Sequence, residues 1–235
     1  MKIALLGYGK MGKEIEKIAL ERGHEIILKK TEDNDFEGLE NADVAIDFSI
    51  PTAAVINITT CINKQIPVVS GTTGWLEQYD AMVLLCKEKN SAFLYSSNFS
   101  VGVNLFFELN SYLARMMSKI KDYKISMQEI HHTQKLDAPS GTAISLANGI
   151  IAETDYTAWT LEEASNEQIP IDVKRIDQVP GTHSIYYRSE VDEIEIKHTA
   201  FSRQGFALGA VVAAEWIVDK KGVFNMKDVL NIEAV

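Results

Sequence analysis

The stretch Glu129-Ile130-His131-His132-Thr133-Gln134-Lys135-Leu136-Asp137-Ala138-Pro139-Ser140-Gly141-Thr142-Ala143 is the part of the chain most suited to chemistry. Two of the five histidines and a lysine follow directly on a predicted strand, and Pro139-Ser140-Gly141-Thr142 then opens a predicted helix. The first N–H groups of a helix lack intrahelical acceptors, so a helix start carrying a glycine and a hydroxyl suits a carboxylate. Histidine and lysine nearby add positive charge or deliver protons. The segment therefore reads as a site for a small dicarboxylate that is protonated during reaction. A metal site is not expected: the adjacent His131-His132 spacing does not fit one helix face, and no cysteine or carboxylate cluster completes it.

A second set of residues points to a dinucleotide. Gly7-Tyr8-Gly9-Lys10-Met11-Gly12 follows the predicted strand Lys2–Leu6 and opens a predicted helix. Glycines at this spacing permit a tight turn and close approach of a pyrophosphate to the helix N-terminus. About 20 residues further on, where an acidic side chain would take the ribose hydroxyls, stand Lys29 and Lys30, with Glu32 and Asp33 slightly too late. Two cations there suit a 2′-phosphate and favour NADPH over NADH. Ser70-Gly71-Thr72-Thr73-Gly74 and Ser96-Ser97-Asn98-Phe99 each follow a predicted strand, at the carboxyl edge where open α/β sheets bind ligands. The second also lies where the pattern of elements changes, as a hinge would.

The elements that must hold these residues fall into two kinds. Strands at Lys2–Leu6, Glu25–Leu28, Asp43–Phe48, Pro67–Ser70 and Ala92–Ser96 alternate with helical patterns, Pro51 opening one and Leu76–Lys89 forming another. Such alternation implies a parallel sheet with right-handed crossovers. Beyond it come a helix at Val103–Met117, a strand at Tyr123–Ile130, a helix at Ser140–Glu153 and a hairpin of His183–Arg188 with Glu193–Thr199. This part is α+β. Helical patterns at Gly209–Val218 and Asn225–Leu230 close the chain, and Asn166–Val179 has no clear pattern.

Composition excludes several classes. With Lys+Arg 23 against Asp+Glu 33, the net charge of −10 lacks the basic footprint of a general nucleic-acid binder. No apolar run approaches the roughly 18 residues of a membrane span, and Gly7 interrupts the first run too early for a signal-peptide core. A cytoplasmic protein without membrane or nucleic-acid partners is expected. Cys61 and Cys86 have no histidine beside them and read as buried small hydrophobes; His24 and His198 read as structural.

GYGKMG, DFS, SGTTGW, SSNFSVGVN, EIHHTQKLDAPSGTA and HTAFSRQGFALGAVVAAEWI…GVFNMKDVL together resemble the bacterial dihydrodipicolinate reductase family, also described as 4-hydroxy-tetrahydrodipicolinate reductase, of the diaminopimelate and lysine pathway. The resemblance implies an N-terminal Rossmann domain completed by C-terminal helices, residues 1–101 and 204–235. It also implies an inserted α+β domain, 102–203, that binds substrate and forms a homotetramer. By the same resemblance Gly7, Tyr8, Gly9, Lys10, Met11 and Gly12 bind cofactor phosphates. Gly71, Thr72 and Thr73 face the nicotinamide, and Ser96, Ser97, Asn98 and Phe99 also contact the cofactor. His131 matches a proton donor or acceptor, Lys135 the proton donor, and His132, Gly141 and Thr142 match substrate-binding positions. The chain departs from the pattern in its shorter length, in a glycine loop one residue shorter than in longer members, and in Lys29-Lys30 where some relatives have an acid then an arginine. The competing readings are a semialdehyde dehydrogenase, which needs a placed catalytic cysteine, and a non-catalytic dinucleotide sensor, which has no use for His131 and Lys135.

Overall fold

The computed structural model describes residues 1–32, 35–202 and 204–232, so Asp33 and the boundary residue Arg203 lie outside the described residues. The chain forms two compact units, one of Met1–Val101 with the segment from Gln204 onward, the other of the segment between, from Gly102.

The first unit is a parallel sheet with helices on both faces. Its elements are β1 (Lys2–Leu6), α1 (Lys10–Glu21), β2 (Glu25–Lys30), β3 (Val44–Asp47), α2 (Pro51–Asn63), β4 (Val68–Ser70), α3 (Tyr79–Glu88) and β5 (Ala92–Tyr95). After the insertion come α6 (Gln204–Ile217), β11 (Gly222–Phe224) and α7 (Met226–Val229). The strand order is β11-β5-β4-β3-β1-β2, every pair parallel. The chain winds one way from β1 to β2 and the other way from β3 onward. The carboxyl ends of β1 and β3 therefore frame the switch point where ligands bind in such sheets.

Period-two alternation splits each strand between two cores. Ile3, Leu5, Val44, Ile46, Val69 and Leu94 pack with Ile15 and Ile18 of α1 and the alanine-rich face of α6. Ala4, Leu6, Ala45, Val68 and Phe93 face α2 and α3, where Cys61 and Cys86 are fully buried. Gly209 lets α6 approach the turn after β5: a Cβ there would lie 1.7 Å from the Phe99 carbonyl oxygen.

Several boundaries differ from the sequence pattern. β2 continues through Lys30, because Leu5 and Leu6 of β1 pair with Lys29 and Lys30. β11 falls outside the predicted elements; three residues pairing with Ala92, Phe93 and Leu94 leave almost no period to detect. The Leu76–Lys89 helix divides into one tight turn at Leu76–Gln78 and α3.

The second unit holds α4 (Val101–Met117), β6 (Lys124–His131), α5 (Gly141–Glu153), β7 (Ala158–Thr160), β8 (Gln168–Arg175), β9 (Gly181–Arg188) and β10 (Glu193–Ala200). Its mixed sheet runs β10-β9-β6-β8-β7, with the predicted β9–β10 hairpin antiparallel and β8 parallel to β6. The unpatterned segment 166–179 thus contains a strand. Its alternation continues through Ile169, Ile171, Val173 and Arg175, but Pro170 and the charged residues between them mask it. Apolar side chains of α4 and α5 cover one face, over Ile125, Met127, Ile171, Ile185 and Tyr187. Among the described residues no helix is long and apolar enough to cross a membrane.

The close approach at Gly209 gives a direct check. Gly209→Ala is expected to lower unfolding free energy by about 3 kcal/mol, since backbone rather than a movable side chain blocks the methyl group. Gly23→Ala, strained only by its φ of +81° with open space around it, should cost about 1–2 kcal/mol. Urea denaturation of the two variants measures the difference.

Candidate active site

In the second unit, register builds the site. On β6 the inward row runs Ile125, Met127, Glu129, His131, so the apolar face ends in a carboxylate and an imidazole. Across the antiparallel β6–β9 pair, Glu129 stands directly opposite His183. Across the parallel β6–β8 pair, His131 stands opposite Arg175. Three strands thereby bring Glu129, His131, His183 and Arg175 together.

Glu129 is fully buried and each of its oxygens is met by donors. Oε2 accepts the Ser140 backbone N–H at 3.0 Å and the Ser140 hydroxyl. Oε1 accepts both terminal guanidinium nitrogens of Arg175 at 3.3 Å. His131 Nδ1 and His183 Nε2 each lie 3.8 Å from Oε2, and the imidazole rings meet edge to face at 5.1 Å. Ligand atoms of Glu129, His131 and His183 lie within 4.8 Å of one another. The adjacent His131-His132 pair is not the one completed: spacing along β6 puts Glu129 beside His131, and strand pairing adds the distant His183. With the oxygens engaged by Ser140 and an arginine alongside, this trio is better suited to hydrogen bonding than to caging a cation.

Burial sets the state of both histidines. It lowers the His131 pKa below the ordinary value; Glu129 opposes this, while the charges of Lys135 and Arg175 add to it. His183 is pushed down to about 4, first by burial and then by neighbouring His131, and is neutral at pH 7. His131 Nδ1 is buried without a hydrogen-bond partner, as is His132 Nδ1.

The loop after β6 turns back through a Lys135 N–H to His132 carbonyl bond of 3.1 Å. The Lys135 ammonium donates to both oxygens of Asp137, at 2.9 and 2.8 Å, which holds Asp137 below the usual carboxylate range. Arg175 ties the same loop from below, donating to the carbonyls of Lys135 at 3.3 Å and Asp137 at 2.7 Å. Ser140 is the N-cap of α5 rather than its first residue, and its hydroxyl oxygen accepts the Ala143 N–H. The Gly141 and Thr142 amides, first in the helix, have no intrahelical acceptor.

In the first unit, a cleft of about 570 Å³ lies at the switch point, lined by Gly7, Tyr8, Gly9, Lys30, Thr31, Phe36, Phe48, Ser49, Ile50 and Asn57 among others. Two of its loop glycines answer to the chain itself. A Cβ on Gly7 would lie 2.2 Å from the Phe48 oxygen, and one on Gly12 would lie 2.3 Å from the Gly7 oxygen. Gly9, N-cap of α1 with no side-chain cap, would meet no protein atom within 4 Å. Packing does not demand glycine there, whereas close approach of a phosphate group does. The residues fit a dinucleotide.

The two lysines of β2 part company, as alternate strand residues must. Lys30 lines the cleft, its ammonium 4.8 Å from the Phe36 ring centre. Lys29 does not line it; it pairs with Glu16 at 2.5 Å and lies over the Tyr8 ring, whose hydroxyl also donates to Glu16. Of the two lysines read together as suiting a 2′-phosphate, only Lys30 lines the cleft. Beneath the cleft, buried Asp47 accepts hydrogen bonds from Ser49, Asn57 and Ser70, and the Ser49 N–H donates to Thr72 Oγ1 at 2.8 Å. Thr72 is buried and Thr73 exposed; a Cβ on Gly71 would strike the Phe48 ring. Ser96 and Asn98 hydrogen-bond within their own turn. Phe99 is 1% exposed and packs against Phe48, so its ring is core and only its backbone could meet a cofactor. Lys10 and Ser97 are exposed, and Met11 packs against the core.

Comparison with known proteins agrees with both halves. Residues 1–99 match the family model of the dihydrodipicolinate reductase N-terminus, and residues 102–230 that of its C-terminus. The chain belongs to the dihydrodipicolinate reductase family. It is 57% identical over 238 residues to the 4-hydroxy-tetrahydrodipicolinate reductase of Christiangramia forsetii, covering 98% of each chain. It is 35% identical to that of Methanocaldococcus jannaschii, covering 98% of this chain and 82% of the other. A solved structure of dipicolinate-bound dihydrodipicolinate reductase from Paenisporosarcina sp. TG-14 shares the fold, with TM-score 0.79, 22% identity and 99% coverage of both chains.

Sequence reasoning misses three members of the buried cluster: Glu129, His183 and Arg175. Glu129 and His131 share a strand face by their spacing, but only pairing of β6 with β8 and β9 reveals the other two. His24 and His198, read as structural, bond Glu215 at 2.7 Å and pack on Phe106.

The depressed His183 pKa predicts a stability limb. An unfolded chain protonates this imidazole near pH 6.5, whereas the folded one resists until about 4. Its contribution is complete above about pH 6.5 and is lost as pH falls toward 4, a change of about 3 kcal/mol. Thermal melts from pH 7 to 4.5 should fall more steeply for the native chain than for His183→Gln; parallel curves would contradict the assignment.

Proposed function

We propose that this chain reduces 4-hydroxy-tetrahydrodipicolinate to tetrahydrodipicolinate in diaminopimelate and lysine biosynthesis, with NADPH preferred over NADH. The observation that carries the reading is the 57% identity, over 98% of each chain, to a 4-hydroxy-tetrahydrodipicolinate reductase. His131, Lys135 and an open helix start on one unit, together with a dinucleotide cleft on the other, support it; a sensor would need only the cleft.

Loss of the ring hydroxyl with a neighbouring ring hydrogen, as water, leaves a conjugated unsaturated ring; NAD(P)H, when bound, would supply the hydride taken up at its unsaturated carbon, and one proton from the protein would complete the reduction. The remaining work belongs to the protein. Gly141 and Thr142 offer amides and a hydroxyl to one substrate carboxylate, and His132 a ring nitrogen to the other. Lys135, paired with Asp137, stabilises negative charge on the conjugated imine and gives up a proton to it. His131, largely neutral at pH 7, can accept or share that proton. The Gly7–Gly12 loop and the start of α1 would hold the pyrophosphate, Thr72, Thr73 and the Ser96–Asn98 turn would serve the nicotinamide end, and Lys30 would take a 2′-phosphate. A cytoplasmic homotetramer is the assembled form we expect, and light scattering reads it.

The test is oxidation of NADPH and NADH by purified protein, with substrate generated in place from pyruvate and aspartate semialdehyde by the preceding synthase. Synthase-dependent oxidation supports the reductase; cofactor binding without turnover would favour the sensor. Lys135→Ala should lower kcat by about two to four orders of magnitude. Lys30→Ala should weaken NADPH more than NADH, whereas Lys29→Ala should affect the two alike. Equal losses in the Lys30 variant would remove the basis for the NADPH preference.

A further inference from the structure

We infer that Glu129 is a positioning residue of the reaction, setting substrate affinity through one carboxylate oxygen and proton delivery through the other. The inference rests on the reductase reading for the meaning of the two arms, but not for their existence.

A carboxylate with no solvent exposure must be fully hydrogen-bonded, or burial costs several kcal/mol. Here the donors come from two different functional elements. Oε2 takes the N–H and hydroxyl of Ser140, the N-cap whose own oxygen receives the Ala143 N–H. That arm fixes the first turn of α5, and with it the direction of the Gly141 and Thr142 amides. Oε1 takes Arg175, whose other hydrogen bonds go to the Lys135, Asp137 and Lys174 carbonyls. This arm fixes the loop that carries the Lys135 ammonium and its Asp137 partner. Because Arg175 grips backbone oxygens, it sets where the loop lies without constraining its side chains. Fully buried, Glu129 acts through these two elements and through the neighbouring imidazoles of His131 and His183, each 3.8 Å from Oε2.

The arms should separate on mutation. Ser140→Ala removes the hydroxyl contact and the cap, and is expected to raise the substrate KM about tenfold with kcat within threefold. Arg175→Met releases the Lys135 loop, and is expected to lower kcat at least tenfold with KM within threefold. Glu129→Gln has one acceptor oxygen where two are needed, so it should move both constants. Hydrogen exchange supplies a reading independent of turnover. In Glu129→Gln, amides of residues 133–145 should exchange at least tenfold faster, while those of Ile125–Met127 and Ile185–Tyr187 stay as in the native chain.

Uniformly faster exchange across β6 and β9 would show a merely structural role and overturn the inference. So would KM and kcat moving together in both single-arm variants, or an unchanged Glu129→Gln protein. If Glu129→Gln does not fold, the split between Ser140→Ala and Arg175→Met decides. Absence of reductase turnover in the native chain would sink the reductase reading alone, and the exchange pattern would still decide whether Glu129 tethers both elements.

Discussion

A carboxylate sealed from water has to be answered donor by donor, and in the second unit the donors that answer Glu129 hold the helix start and the loop to which we assign the chemistry. Ser140 begins the helix whose amides face outward, and Arg175 grips the loop bearing Lys135. The oxygens of one side chain thus fix two elements that arrive from different parts of the sequence. His131 and His183 share the same buried corner, where loss of solvent rather than any one neighbour keeps them from protonating. A more exposed glutamate would bind its donors weakly and let loop and helix drift, because water would compete for every bond.

The first unit answers a different constraint, the close approach of backbone to backbone and backbone to ligand. Gly7 and Gly12 fold the loop against the residues after β3 and against itself, and Gly209 seats α6 against the turn after β5. Gly9 is spared those demands and stands at the head of α1, where a phosphate can come near the helix amides. Asp47, buried beside Ser49, Asn57 and Ser70, does for the cleft floor what Glu129 does in the other unit: it joins loops following neighbouring strands through a single carboxylate.

The elements legible in the sequence are those whose signal is local. The Gly7-x-Gly9-x-x-Gly12 spacing, Pro51 at a helix start, and the alternation of β6 and of the β9–β10 hairpin each specify their own conformation within a few residues. His131 and Lys135 stand out for the same reason. Arg175 and His183 do not, since their importance comes from facing Glu129 and His131 across strand pairs that link positions up to 54 residues apart. Lys29 and Lys30 show the intermediate case: adjacency makes them look like one clamp, but a strand sends neighbours to opposite sides. Only once β2 is seen to run through Lys30 does the pair resolve into a cleft residue and a partner of Glu16.

The central claim is that this chain moves a hydride from a nicotinamide to the ring of a cyclic dicarboxylate and completes the reduction with a proton. Turnover with NADPH carrying deuterium at the transferable C4 position tests that directly. The account predicts a tetrahydrodipicolinate product one mass unit heavier, with the label on the ring carbon, and no label when only the solvent-exchangeable positions are deuterated and washed out. An unlabelled product, or oxidation of the cofactor with no labelled ring, would contradict it.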